Sequence, residues 1–194
     1  PVQFNSIPKT FITLLDLSHI NVTGFEFSSL KKIETLILYC SKKLTAAQFN
    51  VISKELIKKL DLSLTNIKDF NFSNLIIIEE LMFCFSKNLT DIQFNCIPKD
   101  LIKVIALTRI NVTNFDFSSL ATIKQLILHN AKGVTAALFN SIPKNSITSM
   151  DLSYINITGF CFTGFAKLTC LALISSPVEI SKKIIFPKNC RVIT

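Results

Sequence analysis

The chain has 194 residues, 49% of them hydrophobic, and 21 Lys and Arg against 13 Asp and Glu leave it a net charge of +8. This composition excludes a disordered or fibrous chain and suffices for a continuous core. The greasiest stretch, Leu75-Ile76-Ile77-Ile78, stops at Glu79-Glu80, far short of the roughly 18 to 20 apolar residues of a membrane span, so no span is expected.

From Phe4 the chain reads FNSIPKTFITLLDLSHINVTGF, and close copies begin at Phe49, Phe94 and Phe139, in steps of 45 residues. Inside each unit a shorter motif occurs twice. Ile12-x-x-Leu15-x-Leu17 returns 21 residues later as Ile33-x-x-Leu36-x-Leu38 and 24 residues after that as Ile57-x-x-Leu60-x-Leu62. Ile78, Ile102, Ile123, Ile147 and Leu168 continue the alternation of 21 and 24, so eight copies fill residues 4 to 174.

This L-x-x-L-x-L pattern resembles the leucine-rich repeat superfamily. The resemblance implies an α/β fold: a right-handed solenoid or horseshoe, with one parallel sheet on its concave side and short helices or turns on its convex side. The whole of 1–194 reads as one such domain. Each motif becomes a short strand, and alternation supplies the physical reason, since Leu15 and Leu17 then face inward while Leu14, Asp16 and Ser18 face out.

In chain order, the strand around Leu15 is followed by a turn at Asn21. The resemblance implies that Asn21, Asn66, Asn111 and Asn156 form a buried ladder satisfying backbone groups of adjacent turns. That would make Asn21-Val-Thr, Asn111-Val-Thr and Asn156-Ile-Thr inaccessible as glycosylation sequons, with Asn71-Phe-Ser and Asn88-Leu-Thr as further matches. Next, Phe25-x-Phe27-x-x-Leu30-x-x-Ile33 predicts an extended piece and a single turn.

After the second strand, Thr45 is a plausible N-cap and the spacing of Phe49 and Ile52 suits a short helix, with counterparts beginning at Thr90 and Thr135. Leu36-x-Leu38-x-Cys40 through Leu44-Thr45 partly resembles the cysteine-containing subclass used by ubiquitin-ligase receptors, but Phe85, Asn130 and Ser175 replace the cysteine later. Twelve of the 17 Phe residues fall into three columns, each expected to stack on its own counterparts as a core spine. The segment Ile184 to Thr194 resembles the entry to another strand. With no polar cap recognisable at either end, the segment is expected to belong to a longer chain.

The basic residues are Lys except Arg109 and Arg191 and are scattered along the chain, which argues for a solvated lysine surface and against nucleic acid. Six cysteines without C-x-x-C spacing favour free thiols in a reducing compartment over a disulfide frame. No catalytic constellation, metal site or cofactor motif emerges. Asp16 and Asp61 sit two strands apart, about 9 to 10 Å, near the separation of an inverting glycosidase's carboxylates, but Ile37 and Tyr39 lie between them and nothing encloses a pocket. His19 and His129 belong to different columns.

The concave face remains. Small polar stripes, such as Leu14-Asp16-Ser18, alternate with apolar ones, and this suits a protein partner better than an anion. The expected contacts are Asp16, Ile37, Tyr39, Asp61, Glu80, Met82, Ile127, His129 and Asp151. The expected function is a non-catalytic protein-interaction module; the alternatives are a structural spacer or self-assembling element, or a substrate receptor of a ubiquitin ligase.

Overall fold

A computed structural model of the chain describes residues 1–177 and 185–194. The chain divides into two compact units, Pro1–Pro98 and Lys99–Thr194. In the first unit the elements are α1 (Val2–Ser6), β1 (Leu14–Asp16), β2 (Thr35–Ile37), α2 (Ala46–Asn50), β3 (Lys59–Asp61), β4 (Glu80–Met82) and α3 (Asp91–Asn95). In the second they are β5 (Val104–Ala106), β6 (Gln125–Ile127), α4 (Ala136–Ser141), β7 (Ser149–Asp151), β8 (Cys170–Ala172) and β9 (Arg191–Ile193).

Each unit is a parallel β-solenoid in which chain order is spatial order. In the first, Leu15, Leu36, Leu60 and Leu81 pair in register, one per rung, and in the second Ile105, Leu126, Met150, Leu171 and Val192 do the same. A three-residue strand has too few hydrogen bonds to persist alone, so it forms only because its neighbour covers it. All three apolar positions of the motif are buried: Ile33, Leu36 and Leu38, then Ile57, Leu60 and Leu62, are fully inaccessible. The ninth strand comes from the terminal segment read as the entry to another strand; Ile184 itself lies outside the described residues.

The rings pack differently from the expected columns. Phe4 stacks on Phe25 at 4.3 Å, Phe49 on Phe70 at 4.5 Å and Phe139 on Phe160 at 4.3 Å, each ring meeting a member of another column on the next rung. Counterparts such as Phe4 and Phe49 are two rungs apart, about 10 Å at the usual strand spacing, which is beyond ring contact. The core is therefore a series of aromatic clusters, as where Phe72 sits edge-on to Phe49 at 5.6 Å and to Phe83 at 5.3 Å.

Opposite the sheet, the expected helices form from capped single turns. The Thr45 and Thr90 hydroxyls accept the N–H of Gln48 and Gln93, whose side chains return a bond to the cap, completing capping boxes. Thr135 caps α4 through the Leu138 N–H, and Leu138 has no side-chain acceptor to close a box. Each glutamine also donates to the preceding rung, Gln48 to the carbonyls of Val22 and Phe25 at 2.8 and 3.0 Å. Behind the sheet Phe25 to Phe27 runs extended into a single turn at Phe27–Leu30, as expected, and later copies add a second turn, at Leu75–Ile78 and Leu120–Ile123.

The asparagine ladder is corrected. Asn21, Asn66, Asn111 and Asn156 are exposed, and each Oδ1 accepts the N–H two residues on, in Thr23, Lys68, Thr113 and Thr158. Val22, Ile67, Val112 and Ile157 are fully buried, so alternation turns the preceding asparagine outward. The three sequons read as inaccessible are thus on the surface. Asn66 Oδ1 also accepts the Asn88 side-chain amide of the next rung at 2.9 Å, and the bonds from turn to backbone of the preceding rung come from Ser41, Thr65, Ser86 and Ser176, whose hydroxyls donate to the carbonyls of Leu17, Leu38, Leu62 and Leu152 at 2.8 to 2.9 Å.

A second asparagine set clamps the rungs from behind. Asn50 donates to the Asp69 carbonyl at 3.2 Å and accepts the Asn71 N–H at 2.8 Å, and Asn5 and Asn140 repeat the clamp. The lysine surface also needs correction: Lys9, Lys54 and Lys99 are buried, 3 to 4% exposed. Lys54 donates to the carbonyls of Asn50 and Ile52 with its ammonium 4.8 Å from the Phe49 ring centre, and burial pushes its pKa down.

Candidate functional site: the open sheet faces

The outward strand residues form a grid on each sheet. In the first unit one row is Leu14, Thr35, Lys59 and Glu80, and the next is Asp16, Ile37, Asp61 and Met82, set by the strand register. Beyond the strand ends lie Ser18, Tyr39, Ser63 and Cys84. In the second unit the central row is Ala106, Ile127, Asp151, Ala172 and Ile193. Six of the nine expected contact residues thus share the first face (Asp16, Ile37, Tyr39, Asp61, Glu80 and Met82), while Ile127, His129 and Asp151 share the second.

The aspartates have a structural task that the motif D-x-S encodes. Asp16 Oδ1 accepts both the N–H and the hydroxyl of Ser18, at 2.8 and 2.6 Å, closing the turn that leaves the strand. The Ser18 hydroxyl, then its N–H, hold the Asp16 carboxyl below the usual carboxylate range. Asp61 and Asp151 accept the N–H of Ser63 and Ser153 in the same way, at 2.8 and 2.9 Å. Ser63 and Ser153, the counterparts of Ser18, are buried at 3 and 1% exposure, their hydroxyl oxygens accepting the N–H of Cys84 and Ile174 on the next rung.

Other polar groups pair off. Lys59 and Glu80 meet at 2.8 Å on the face, and Lys58 meets Glu34 at 2.8 Å on its flank. His129 Nδ1 lies 3.4 Å from Asp151 Oδ2, and its ring is 5.2 Å from that of Tyr154. His19 and Tyr39 repeat the ring contact at 5.0 Å. Among the described residues no three His, Cys, Asp or Glu side chains converge as a metal site, and no helix is long and apolar enough to cross a membrane.

The expected apolar contacts Ile37, Tyr39, Met82 and Ile127 are half-buried. Besides Leu14 on β1, 62% exposed, apolar exposure lies in the row just past the strands, at Leu64 and Phe85 in the first unit (44 and 42%) and at Tyr154 in the second (50%). This row was missed because its shape depends on backbone conformation. His19, Cys40, Leu64, Phe85, Arg109, Asn130, Tyr154 and Ser175 all have positive φ, between 52° and 62°. Left-handed backbone ordinarily selects Gly or Asn; here mostly bulky residues hold it. The column that carries cysteine in the resembling subclass is this one, so its variability is a variability of projecting side chains.

Rungs, sheet register and open faces together define a repeat protein of the parallel β-solenoid class. Compared with models of protein families, with characterised proteins and with solved structures, the chain matches none.

Proposed function

We propose that the chain is a leucine-rich-repeat module that binds a protein partner through its open sheet faces, without catalysis. The observation that carries this reading is the in-register row of alternating carboxylate and apolar side chains, Asp16, Ile37, Asp61 and Met82, on a face that no element of its own unit covers. A mosaic of apolar patches and oriented polar groups is the composition of a protein interface. The leucine-rich assignment rests on the eight L-x-x-L-x-L copies together with the parallel rungs they form.

The test is affinity for the natural partner, captured by cross-linking in the source cell. Tyr39→Ala with Ile127→Ala is expected to weaken binding at least about tenfold, or about 1.4 kcal/mol, with the circular dichroism spectrum unchanged. A folded double variant that binds like the parent moves the interface off the sheet faces. A spacer would tolerate both changes.

A further inference from the structure

We propose that the open face of the first unit receives a basic peptide segment in the polyproline II conformation, laid across the strands, with Lys or Arg at every third residue set over Asp16 and Asp61. This deepens the reading of the face as a protein-binding surface and rests on it.

Charge is distributed unevenly. Residues 1–98 carry 10 Lys against 9 Asp and Glu, a net +1, whereas residues 99–194 carry 11 Lys and Arg against 4, a net +7. On the first unit's strands the charged residues are Asp16, Asp61, Glu80 and Lys59, and the last two neutralise each other at 2.8 Å. Among the described residues, Asp16 and Asp61 have no lysine or arginine partner. In a chain of +8 this face is locally anionic.

Both carboxylates are also preoriented. The turn bonds to Ser18 and Ser63 engage Oδ1 of each, and among the described residues Oδ2 has no hydrogen-bond partner. A fixed carboxylate loses little freedom when a cation arrives, which is where exposed ion pairs usually forfeit their energy.

Spacing selects the conformation of the occupant. Asp16 pairs with Ile37, and Ile37 with Asp61, so the carboxylates are two rungs apart, about 9.6 Å at 4.8 Å per rung. A polyproline II helix rises about 3.1 Å per residue with three residues per turn, returning the same side to the surface every 9.3 Å or so. An extended strand returns the same side about every 6.7 Å and falls out of step. An α-helix does so near 6 or 10.5 Å, a poorer match. Polyproline II also needs no backbone pairing, and this face offers side chains only. Between the carboxylates the peptide backbone then passes over Ile37, and beyond Asp61 over Met82, both half-buried.

The experiment uses fluorescence anisotropy with two labelled heptapeptides of one composition: Arg-Pro-Pro-Arg-Pro-Pro-Arg, and Arg-Arg-Arg-Pro-Pro-Pro-Pro with its arginines clustered. The net charge of the chain repels both, so unspecific cation binding is suppressed. The triplet peptide is expected to bind at least about fivefold tighter than the clustered one, and Asp16→Asn with Asp61→Asn to abolish that difference. Asn keeps the Oδ1 acceptor, so the turns persist and charge alone is tested; Asp91→Asn, in the first turn of α3 and away from the sheet face, should change nothing. Equal affinity for the two peptides, an unaffected double variant, or no saturable binding up to millimolar peptide overturns the proposal. If Tyr39→Ala abolishes capture of the natural partner while the two Asp→Asn changes do not, the face still binds protein and the basic segment is wrong. If both leave capture intact, both readings fail.

Discussion

Replacing Phe72 by Ala removes a ring that is fully inaccessible and sits within 5.3 to 6.4 Å, centre to centre, of the rings of Phe83, Phe49 and Phe70. Those rings come from successive rungs and are themselves buried, at 0 to 3% exposure, so the space left would be walled by packed side chains. The cost should therefore lie at the upper part of the usual range for Phe→Ala, about 3 to 5 kcal/mol, with the aromatic edge contacts contributing about 0.5 to 1.5 kcal/mol each within that figure. Against a typical domain stability of about 5 to 15 kcal/mol, this is enough to lower the urea midpoint sharply. The assay is urea unfolding followed by far-ultraviolet circular dichroism, with Phe72→Leu as a partial refill and Phe11→Ala, 80% exposed in the same unit, as the control. Phe72→Leu should cost markedly less and Phe11→Ala under about 0.5 kcal/mol. Because repeat arrays can unfold in stages, the slope must be compared as well as the midpoint. A loss below about 1 kcal/mol for Phe72→Ala would mean that the clusters do not hold the rungs together.

Two further outcomes follow from the turns. Ser175 is exposed with φ at 53°, so Ser175→Gly should relieve left-handed strain at little loss of contact and raise stability by about 0.5 to 1 kcal/mol in thermal melts; destabilisation would show that the backbone there is unstrained. The Asp16 and Asp116 carboxyls are held below the ordinary value by the hydroxyl and N–H of Ser18 and Ser118. The unfolded chain therefore takes up these protons first as pH falls, so their contribution is present above about pH 4 and lost as pH drops through the lower folded values. Asp16→Asn with Asp116→Asn should flatten the acid limb of a stability profile measured from about pH 5 to 2, and parallel profiles for parent and variant would refute it.

Much of the architecture was legible because it is periodic. The 45-residue duplication, the alternation of 21 and 24, the strand around each L-x-L and the helices capped by Thr45, Thr90 and Thr135 all arise from residues a few positions apart, where covalent geometry sets who faces which way. The open-face positions of Asp16, Ile37, Asp61 and Met82 follow from the same alternation. The Phe-Asn pair marked the repeat, yet its asparagine's clamp, 19 to 21 residues ahead, was invisible in any single copy.

What the tertiary structure decided are the contacts between rungs. Phe4 meets Phe25 and not Phe49, Ser41 rather than Asn21 reaches across to the next turn, and Lys54 is buried over Phe49. Each depends on which residue of one rung lands opposite which residue of the next, an offset of 21 or 24 modified by turns that leave the strands through left-handed residues other than glycine. Asp16 shows the division most plainly. Alternation places it on the open face, but only the folded turn brings Ser18 to its Oδ1, making one oxygen part of the fold and leaving the other to the surface.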